Sequence, residues 1–234
     1  MMRLRTETPV YRDRQHAGRV LAQHLAGHVG QPPPLVLALP RGGVAVGFEV
    51  AQALHAPLDI WVVRKLGLPG HEEYAMGAIA SGGVRVMNPL PGMDLAPEAV
   101  ARVLAKEEAE LSRRERVYRG DHPAASVTGR HVILVDDGLA TGATMRAAAL
   151  AVRAGHPSRL TIAVPVGARD SCASLADVAD EVVCPFMPEP FRAVGLWYEH
   201  MPQASDEEVR HLLGQAWHEH VRELRHGRPA SPAL

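Results

Sequence analysis

The sequence predicts an α/β fold built on a doubly wound, mostly parallel sheet. Short apolar runs alternate along the 234 residues with segments of helical periodicity, which is the pattern of consecutive β-α-β units. The apolar runs lack polar alternation, as expected for strands that helices cover on both faces. Segments rich in glycine or charge follow three of these runs. Because ligands bind at the carboxyl ends of the strands in such sheets, we expect the functional loops to lie there.

Hydrophobic periodicity places the elements of the first part of the chain. Apolar residues recur at helical spacing over 12–29, and the three prolines at 32–34 end that helix. The apolar run at 35–39 predicts the first strand, and 44–54 again has helical periodicity. The run LDIWVV at 58–63 is rich in residues that favour strands and predicts the second.

The next segment, 66–83, is rich in glycine and charge and is either a long loop or a hairpin. Further strands are predicted at 132–135, 160–166 and 182–184. Further helices are predicted at 97–118, 143–154, 171–179 and 205–225. Pro97 suits the first turn of the helix at 97–118, and Gly155 ends the helix at 143–154. Ser205 and Glu208 have the spacing of a capping box and mark the start of the last helix.

Composition limits the class of protein. With 25 Lys and Arg against 26 Asp and Glu, the formal net charge is −1, which argues against a nucleic-acid partner. Cys172 and Cys184 are too few for a disulfide framework, so free, partly buried thiols in a reducing compartment are expected. The N-terminus lacks the apolar segment of a secretory signal, and no apolar stretch approaches membrane-spanning length. We therefore expect a soluble, cytoplasmic protein without a membrane partner.

The segment VILVDDGLATGAT, residues 132–144, places two adjacent carboxylates directly after a predicted strand. Asp136 and Asp137 repel each other, so keeping both ionised costs free energy unless a partner supplies hydroxyl donors or a divalent cation. A ribose diol supplies the first, and Mg²⁺ supplies the second. The glycines and threonines that follow lead into a helix N-terminus, which favours an anion. A solvated Asp-Asp-Gly turn accounts for the acids alone, whereas the whole segment predicts a sugar-phosphate site.

This segment resembles the phosphoribosyl pyrophosphate (PRPP) signature of type I phosphoribosyltransferases, in which a hydrophobic run, two acidic residues and a Thr-Gly loop follow one another. The resemblance implies the type I phosphoribosyltransferase fold with a small hood, to which this chain adds an inserted helix at 97–118. It implies that Asp136 and Asp137 bind the ribose 2′- and 3′-hydroxyls and also Mg²⁺, directly or through water. The residues expected to bind the ribose and the 5′-phosphate are Asp136, Asp137, Gly138, Leu139, Ala140, Thr141, Gly142, Ala143 and Thr144.

Two other loops match the family by position, although each alone is also typical of a solvated turn. In ALPRGG, residues 38–43, the resemblance implies that Arg41, Gly42 and Gly43 bind pyrophosphate, since small residues let backbone amides approach it. The family often has a cis peptide in this loop. Two cations, Arg64 and Lys65, stand where the second strand is expected to end, and from their charge and position we expect them to contact and neutralise a departing pyrophosphate.

The segment VVRKLGLPGHEEYAMGA, residues 62–78, resembles the flexible lid of the family. Its RKLGLPG portion is most similar to the adenine-type enzymes, whose loop carries a glutamate. The catalytic candidates are therefore Glu72 and Glu73 as acid or base, with Lys65 as the cation beside the leaving group. For the two glutamates, an uninvolved surface loop is the alternative interpretation.

The acceptor side of the site is less well defined. Ala140 stands where the hypoxanthine-guanine branch of the family has an aspartate near the base, so an acid or base must come from the lid or the hood. The segment PFRAVGLWYEH, residues 190–200, resembles the hood of purine-type enzymes, and Phe191, Trp197 or Tyr198 is the candidate to stack on a base. An aromatic cluster that fills the core is the alternative.

The resemblance extends over about residues 35–200. We expect a single domain over 1–225, with a core at about 35–185, a hood and C-terminal helix at about 186–225, and a disordered tail at 226–234. The implied activity is that of a pentosyltransferase, which moves the phosphoribosyl group of PRPP to a nitrogen acceptor such as a nucleobase and releases pyrophosphate. A PRPP-sensing regulator and a phosphoribosyl hydrolase on the same fold are the alternatives. The expected cofactor is Mg²⁺, and a homodimer is consistent with the family.

Overall fold

The fold is organised around two β-sheets, one parallel and one antiparallel. The computed structural model describes residues 9–30, 32–87 and 96–226. In chain order the strands are β1 (Leu35–Ala38), β2 (Leu58–Ile60), β3 (Val63–Leu68), β4 (His71–Ala80), β5 (Val84–Met87), β6 (His131–Val135), β7 (Arg159–Ala163) and β8 (Glu181–Val183). The α-helices are α1 (Arg14–His24), α2 (Gly42–Ala53), α3 (Pro97–Arg119), α4 (Ala143–Ala154), α5 (Arg169–Ala173) and α6 (Asp206–His226).

The five-stranded central sheet has the order β2-β1-β6-β7-β8, and every neighbouring pair in it is parallel. Successive side chains of β1 point to opposite faces, as the twofold period of a strand requires. Val36 packs in an apolar layer that includes residues of α2 and α6, whereas Leu37 packs in a second layer that includes residues of α4. The sheet is therefore covered on both faces, which confirms the predicted doubly wound α/β class.

The segment 66–83 is a hairpin and not a loop. Strands β3 and β4 pair antiparallel, and β5 completes a three-stranded sheet. The second strand of the central sheet ends at Ile60, earlier than predicted, because the chain leaves that sheet at Trp61. The backbone N–H of Val62 then donates to Oγ of Ser81, at 2.9 Å, and its carbonyl accepts from the N–H of Ser81.

This early departure corrects the placement of Arg64 and Lys65. Both residues lie within β3 of the antiparallel sheet and not at the carboxyl end of a central strand. The apolar run LDIWVV is uniform in composition and so predicts one strand, but backbone hydrogen bonds divide it between two sheets. The two cations are therefore carried by the hairpin.

The predicted helix 97–118 is present as α3 and is tied to the central sheet by a buried ion pair. Arg119, at its C-terminal end, donates from Nε to Oδ1 of Asp59 at 3.0 Å and from Nη2 to the carbonyl of Ile60 at 2.6 Å. The second carboxylate oxygen of Asp59 accepts the N–H of Ala125 at 2.8 Å. Both charged side chains are buried, at 5% and 4% exposure. The inserted helix is thus anchored at the end of β2.

Helix α6 begins where the capping pattern indicates. The N–H of Glu208 donates to Oγ of Ser205 at 3.0 Å, which satisfies one N–H of the first turn. Along the helix, Val209 and Leu213 are buried in the core, and Trp217 donates its indole N–H to the carbonyl of Leu58. The predicted tail at 226–234 lies outside the described residues, apart from the last residue of this helix.

Two other elements are shorter than the sequence predicts. The helix expected at 171–179 spans Arg169–Ala173 and is followed by turns, and the strand expected at 160–166 ends at Ala163. Within the described ranges, none of the helices has both the length and the apolar composition needed to cross a bilayer.

Candidate active site

The acid pair lies at the carboxyl end of β6, in the middle of the parallel sheet. Val135 is the last residue of this strand, and the N–H of Asp137 donates to Oδ1 of Asp136 at 2.8 Å. Asp136 and Asp137 directly follow the strand, and the backbone bends at Asp137. The sheet thus holds two like charges side by side, as the sequence predicts.

Burial and charge raise the pKa of Asp136 well above its ordinary value. The larger cause is desolvation, and the neighbouring carboxylate of Asp137 adds to it. The hydrogen bond from the Asp137 N–H and the positive charge of Arg14 act in the opposite direction. A ligand that brings hydroxyl donors or a cation to this pair would relieve the unfavourable energy of the ionised form.

The loop after the acid pair leads into α4 and leaves its polar residues accessible. Thr141 and Thr144 are exposed, whereas Leu139 is buried. Gly142, immediately before the helix, has a φ of 76°, a left-handed conformation that glycine adopts at little cost. The helix N-terminus and the backbone N–H groups of this loop form a surface suited to a phosphate.

The segment that follows β7 forms hydrogen bonds with the same loop. Leu139 donates its N–H to the carbonyl of Val166 and accepts the N–H of Ala168, each at 2.9 Å. The hydroxyl of Ser171 donates to the carbonyl of Ala140 at 2.6 Å. Two backbone hydrogen bonds and one from the Ser171 side chain therefore fix the loop.

The glycine loop after β1 lies against the acid pair. Helix α2 begins at Gly42, and the peptide bond between Pro40 and Arg41 is cis, a feature often found in this loop of the family. A Cβ atom on Gly42 would collide with the carboxylate of Asp137, and one on Gly43 would lie 2.9 Å from the carbonyl oxygen of Val135. Glycine at both positions is thus required by the close approach of the two loops.

Arg41 lies at the margin of this arrangement. Its Nη1 atom is 3.8 Å from Oδ1 of Asp206, at the start of α6, and its side chain is 37% exposed. That carboxylate also accepts a hydrogen bond from the hydroxyl of Tyr118. A loose, partly exposed ion pair of this kind leaves the guanidinium able to turn toward an anion.

The hairpin brings its cations against α3. Arg64 forms an ion pair with Glu107, with Nη2 2.5 Å and Nε 2.8 Å from Oε2. Lys65 is exposed on the next position of β3. A cavity of about 350 Å³ is lined by residues of the hairpin and of α3, among them Lys106. Glu72 and Glu73 lie on β4, and their side chains are outside the described part of the structure. The catalytic and pyrophosphate-binding roles assigned to these residues stay predictions.

The hood aromatics divide into two groups by burial. Trp197 and Tyr198 are 6% and 4% exposed and pack in a small apolar cluster with Tyr11. Phe191 is half-buried at the edge of the same cluster, with its ring centroid 6.5 Å from that of Trp197. Filling the core thus accounts for the first two, and a stacking contact with a base stays a prediction for all three.

The hood segment also reaches the acid pair. The hydroxyl of Tyr198 donates to the backbone carbonyl of Asp137 at 2.6 Å. The side chain of Val194 lies so close to Gly138 that a Cβ atom there would collide with it. The hood is thus packed directly on Asp137 and Gly138, at the start of the loop that leads into α4.

Sequence analysis missed one residue of the site, Arg14. Its Nε atom donates to Oδ2 of Asp137 at 2.8 Å, across 123 positions of the chain. In the sequence Arg14 is one polar position in a helical pattern. The only signal is a weak one: a cation in the first turn of a helix is disfavoured by the helix dipole, so its presence there needs a reason.

The acid pair has the chemistry to hold a magnesium ion. Mg²⁺ takes oxygen ligands in proteins and is commonly bound by one or two carboxylates together with substrate phosphates and water. Within the described residues, no group of three or more His, Cys, Asp or Glu side chains is placed to hold a metal ion. A cation at Asp136 and Asp137 would therefore take its remaining ligands from the substrate and from water.

The fold and site together define an α/β protein with an acid pair and a loop of glycine and threonine at the carboxyl edge of a parallel sheet. Residues 11–188 match the phosphoribosyl transferase domain. The chain belongs to this family, as its resemblance to the PRPP signature predicts.

The chain is similar to proteins from two bacteria. A Mycobacterium tuberculosis protein named "Putative phosphoribosyl transferase Rv0571c" is 47% identical over 209 residues, a stretch that covers 88% of this chain and 47% of that protein. The chain thus spans about half the length of the curated relatives it matches. The crystal structure of the protein TT1426 from Thermus thermophilus is 41% identical, with a TM-score of 0.80, and the match covers 88% of this chain and 98% of the other.

Proposed function

We propose that this domain binds PRPP with Mg²⁺ and transfers its 5-phosphoribosyl group to a nitrogen acceptor, such as a nucleobase, with release of pyrophosphate. The observation that carries the proposal is the contact between two loops. Gly42 of the predicted pyrophosphate loop touches Asp137 of the predicted ribose-binding pair. PRPP carries its pyrophosphate on C1 of the ribose, next to the 2-hydroxyl, so one molecule would meet both loops.

Different residues bind the ribose, the 5-phosphate and the pyrophosphate of PRPP. Asp136 and Asp137 accept hydrogen bonds from the ribose 2- and 3-hydroxyls, and the loop over 138–144 with the N-terminus of α4 binds the 5-phosphate. The backbone of Gly42 and Gly43 and the side chain of Arg41 contact the pyrophosphate. Asp136 and Asp137 would hold Mg²⁺, which would supply positive charge to stabilise the departing pyrophosphate.

The reaction is a displacement at C1 of the ribose. The bond from C1 to the pyrophosphate oxygen breaks, the leaving group keeps the electron pair, and a bond from C1 to the acceptor nitrogen forms. The reaction is accelerated by the positioning of the two reactants and by stabilisation of the charge on the leaving group. Lys65 contributes to that charge stabilisation, and the acceptor proton passes to Glu72, Glu73 or water.

A PRPP-binding regulator is the second candidate, and one observation favours it. Arg64 is committed to the ion pair with Glu107 of the inserted helix, so one of the two hairpin cations is already neutralised. A protein of this kind would bind PRPP through the same loops and release no pyrophosphate.

A screen for pyrophosphate release separates the two candidates. The protein is incubated with Mg²⁺, PRPP and each of a set of purine and pyrimidine bases. The transferase predicts acceptor-dependent release of pyrophosphate that the double substitution Asp136→Asn and Asp137→Asn abolishes. Saturable PRPP binding without release against any acceptor would favour the regulator. Release without an added base, together with ribose 5-phosphate, would identify water as the acceptor.

A further inference from the structure

Arg14 joins three parts of the fold through a single guanidinium group. Besides the bond from Nε to Asp137, its Nη1 atom donates to the carbonyl oxygen of Pro202 at 2.6 Å. The side chains of Arg14 and Asp137 are only 15% and 16% exposed. A charged pair with so little solvent around it has a defined geometry, unlike the mobile ion pairs of a protein surface.

The position of Arg14 in its helix indicates that the contact serves the site and not the helix. Asp13 caps α1 by accepting the N–H of His16 at 2.7 Å, so Arg14 is the first residue of the helix. A positive charge at this end is opposed by the helix dipole. The contact with Asp137 offsets that cost, and it places a cation beside two adjacent carboxylates.

The guanidinium also lies at the glycine loop. The Nε atom of Arg14 is 3.1 Å from the position that a Cβ atom on Gly42 would take, and Asp137 contacts the same position. Arg14, Asp137 and Gly42 therefore meet at one point, where the predicted ribose and pyrophosphate sites adjoin.

The helix start is tied to the hood by backbone hydrogen bonds. The N–H of Glu199 donates to the carbonyl of Tyr11 at 2.8 Å, and the N–H of His200 donates to that of Arg12 at 2.9 Å. These bonds fix the segment before α1, so Arg14 reaches Asp137 from a rigid support. A side chain held in this way can fix the orientation of its partner.

We propose that Arg14 is a positioning residue for PRPP, which holds the Asp137 carboxylate by Oδ2 and leaves its other oxygen to accept a hydrogen bond from a ribose hydroxyl. The inference rests on the proposed function. It goes beyond it because it assigns recognition of the ribose diol to a residue of the N-terminal helix, outside the three loops that carry the family resemblance.

The test compares two sugar phosphates that differ only in the diol, ribose 5-phosphate and 2-deoxyribose 5-phosphate. Their dissociation constants, and that of PRPP with Mg²⁺, are measured by calorimetry for the wild type, Arg14→Gln and Arg14→Lys. The control is Arg19→Gln on the same helix, which removes an ion pair between the half-exposed Arg19 and Glu49 of α2.

We expect the wild type to prefer ribose 5-phosphate and Arg14→Gln to lose that preference and to bind PRPP about tenfold more weakly. Arg14→Lys should restore part of the preference, because it keeps the charge but not the fork of donors. The control should stay within about twofold of the wild type, since it leaves the contacts of Arg14 with Asp137 and Pro202 in place. A purely structural role would lower stability in Arg14→Gln without removing the preference selectively.

The outcomes separate this inference from the proposed function. If the wild type binds PRPP and Arg14→Gln keeps both its affinity and its preference for the diol, the role of Arg14 is wrong and the proposed function stands. If the wild type does not bind PRPP at all, the proposed function is wrong, and the inference falls with it.

Discussion

The hydroxyl of Tyr198 donates a 2.6 Å hydrogen bond to the backbone carbonyl of Asp137. Burial, and to a lesser extent the negative charge of Asp137, raise the pKa of this tyrosine far above its ordinary value, so it remains a proton donor at any physiological pH. The hood is therefore bonded to the residue that we assign to the ribose. Substitutions in the hood should therefore alter ligand binding at the acid pair.

Tyr198→Phe should lower the free energy of unfolding by about 1–3 kcal/mol, because it leaves the Asp137 carbonyl without its donor in a partly buried place. It should also weaken binding of PRPP with Mg²⁺. Chemical denaturation and calorimetry measure the two effects. Tyr74→Phe is the matched control, since Tyr74 is 65% exposed on the hairpin. Equal unfolding midpoints for the two variants would contradict a structural role for the hydrogen bond.

Gly42→Ala should weaken PRPP binding by roughly tenfold or more, because its Cβ atom would collide with the Asp137 carboxylate and a displacement of even about 1 Å in a site is costly. The matched substitution is Gly214→Ala in α6, where a Cβ atom would meet no other atom within 4 Å. That control should bind normally and gain up to about 1 kcal/mol of stability from helix propensity. Normal PRPP affinity in Gly42→Ala would disprove the close packing of the two loops.

Arg119→Met should destabilise the protein by about 3–5 kcal/mol, because it leaves the buried carboxylate of Asp59 without its charged partner. Arg113→Met on the same helix is the control, since its ion pair with Glu110 is exposed and its loss should leave the unfolding midpoint unchanged. Denaturant titration of both variants measures the difference. A small effect for Arg119→Met would mean that the inserted helix is held mainly by apolar packing.

The triple substitution of Lys65, Glu72 and Glu73 by Ala tests the lid. A transferase should lose most of its turnover while its affinity for PRPP falls by a smaller factor, because only Lys65 among the three is assigned a contact with the pyrophosphate of PRPP. Arg85→Ala, an exposed position of the same antiparallel sheet, is the control. Unchanged pyrophosphate release in the triple variant would remove the lid from the mechanism.

The parts of the fold that depend on local sequence were predictable. An unbroken apolar run followed by two acids, glycines and a helical pattern places β6 and α4 within one residue of their observed bounds. The family resemblance was carried by this same stretch, so the identity of the family followed from the sequence.

The features that sequence reasoning missed depend on contacts between distant residues. Nothing in the composition of LDIWVV indicates that the chain passes from one sheet to the other at Trp61. The change depends on hydrogen bonds between Val62 and the distant Ser81. Arg14 meets Asp137 only after the sheet and the first helix have packed together. Tyr198 was assigned to a base on its residue type, whereas its hydrogen bond to Asp137 became visible only in three dimensions.

The most direct test of the account is calorimetric titration of PRPP in the presence of Mg²⁺ into three proteins: the wild type, the Asp136→Asn and Asp137→Asn double variant, and Asp177→Asn. The last removes a carboxylate that is 61% exposed and pairs with Arg146 but has no assigned contact with the ribose. We predict saturable binding to the wild type and to Asp177→Asn, and none to the double variant, which should still unfold cooperatively. Absence of binding to the wild type, or equal binding to the double variant, would contradict the assignment of the acid pair to the ribose.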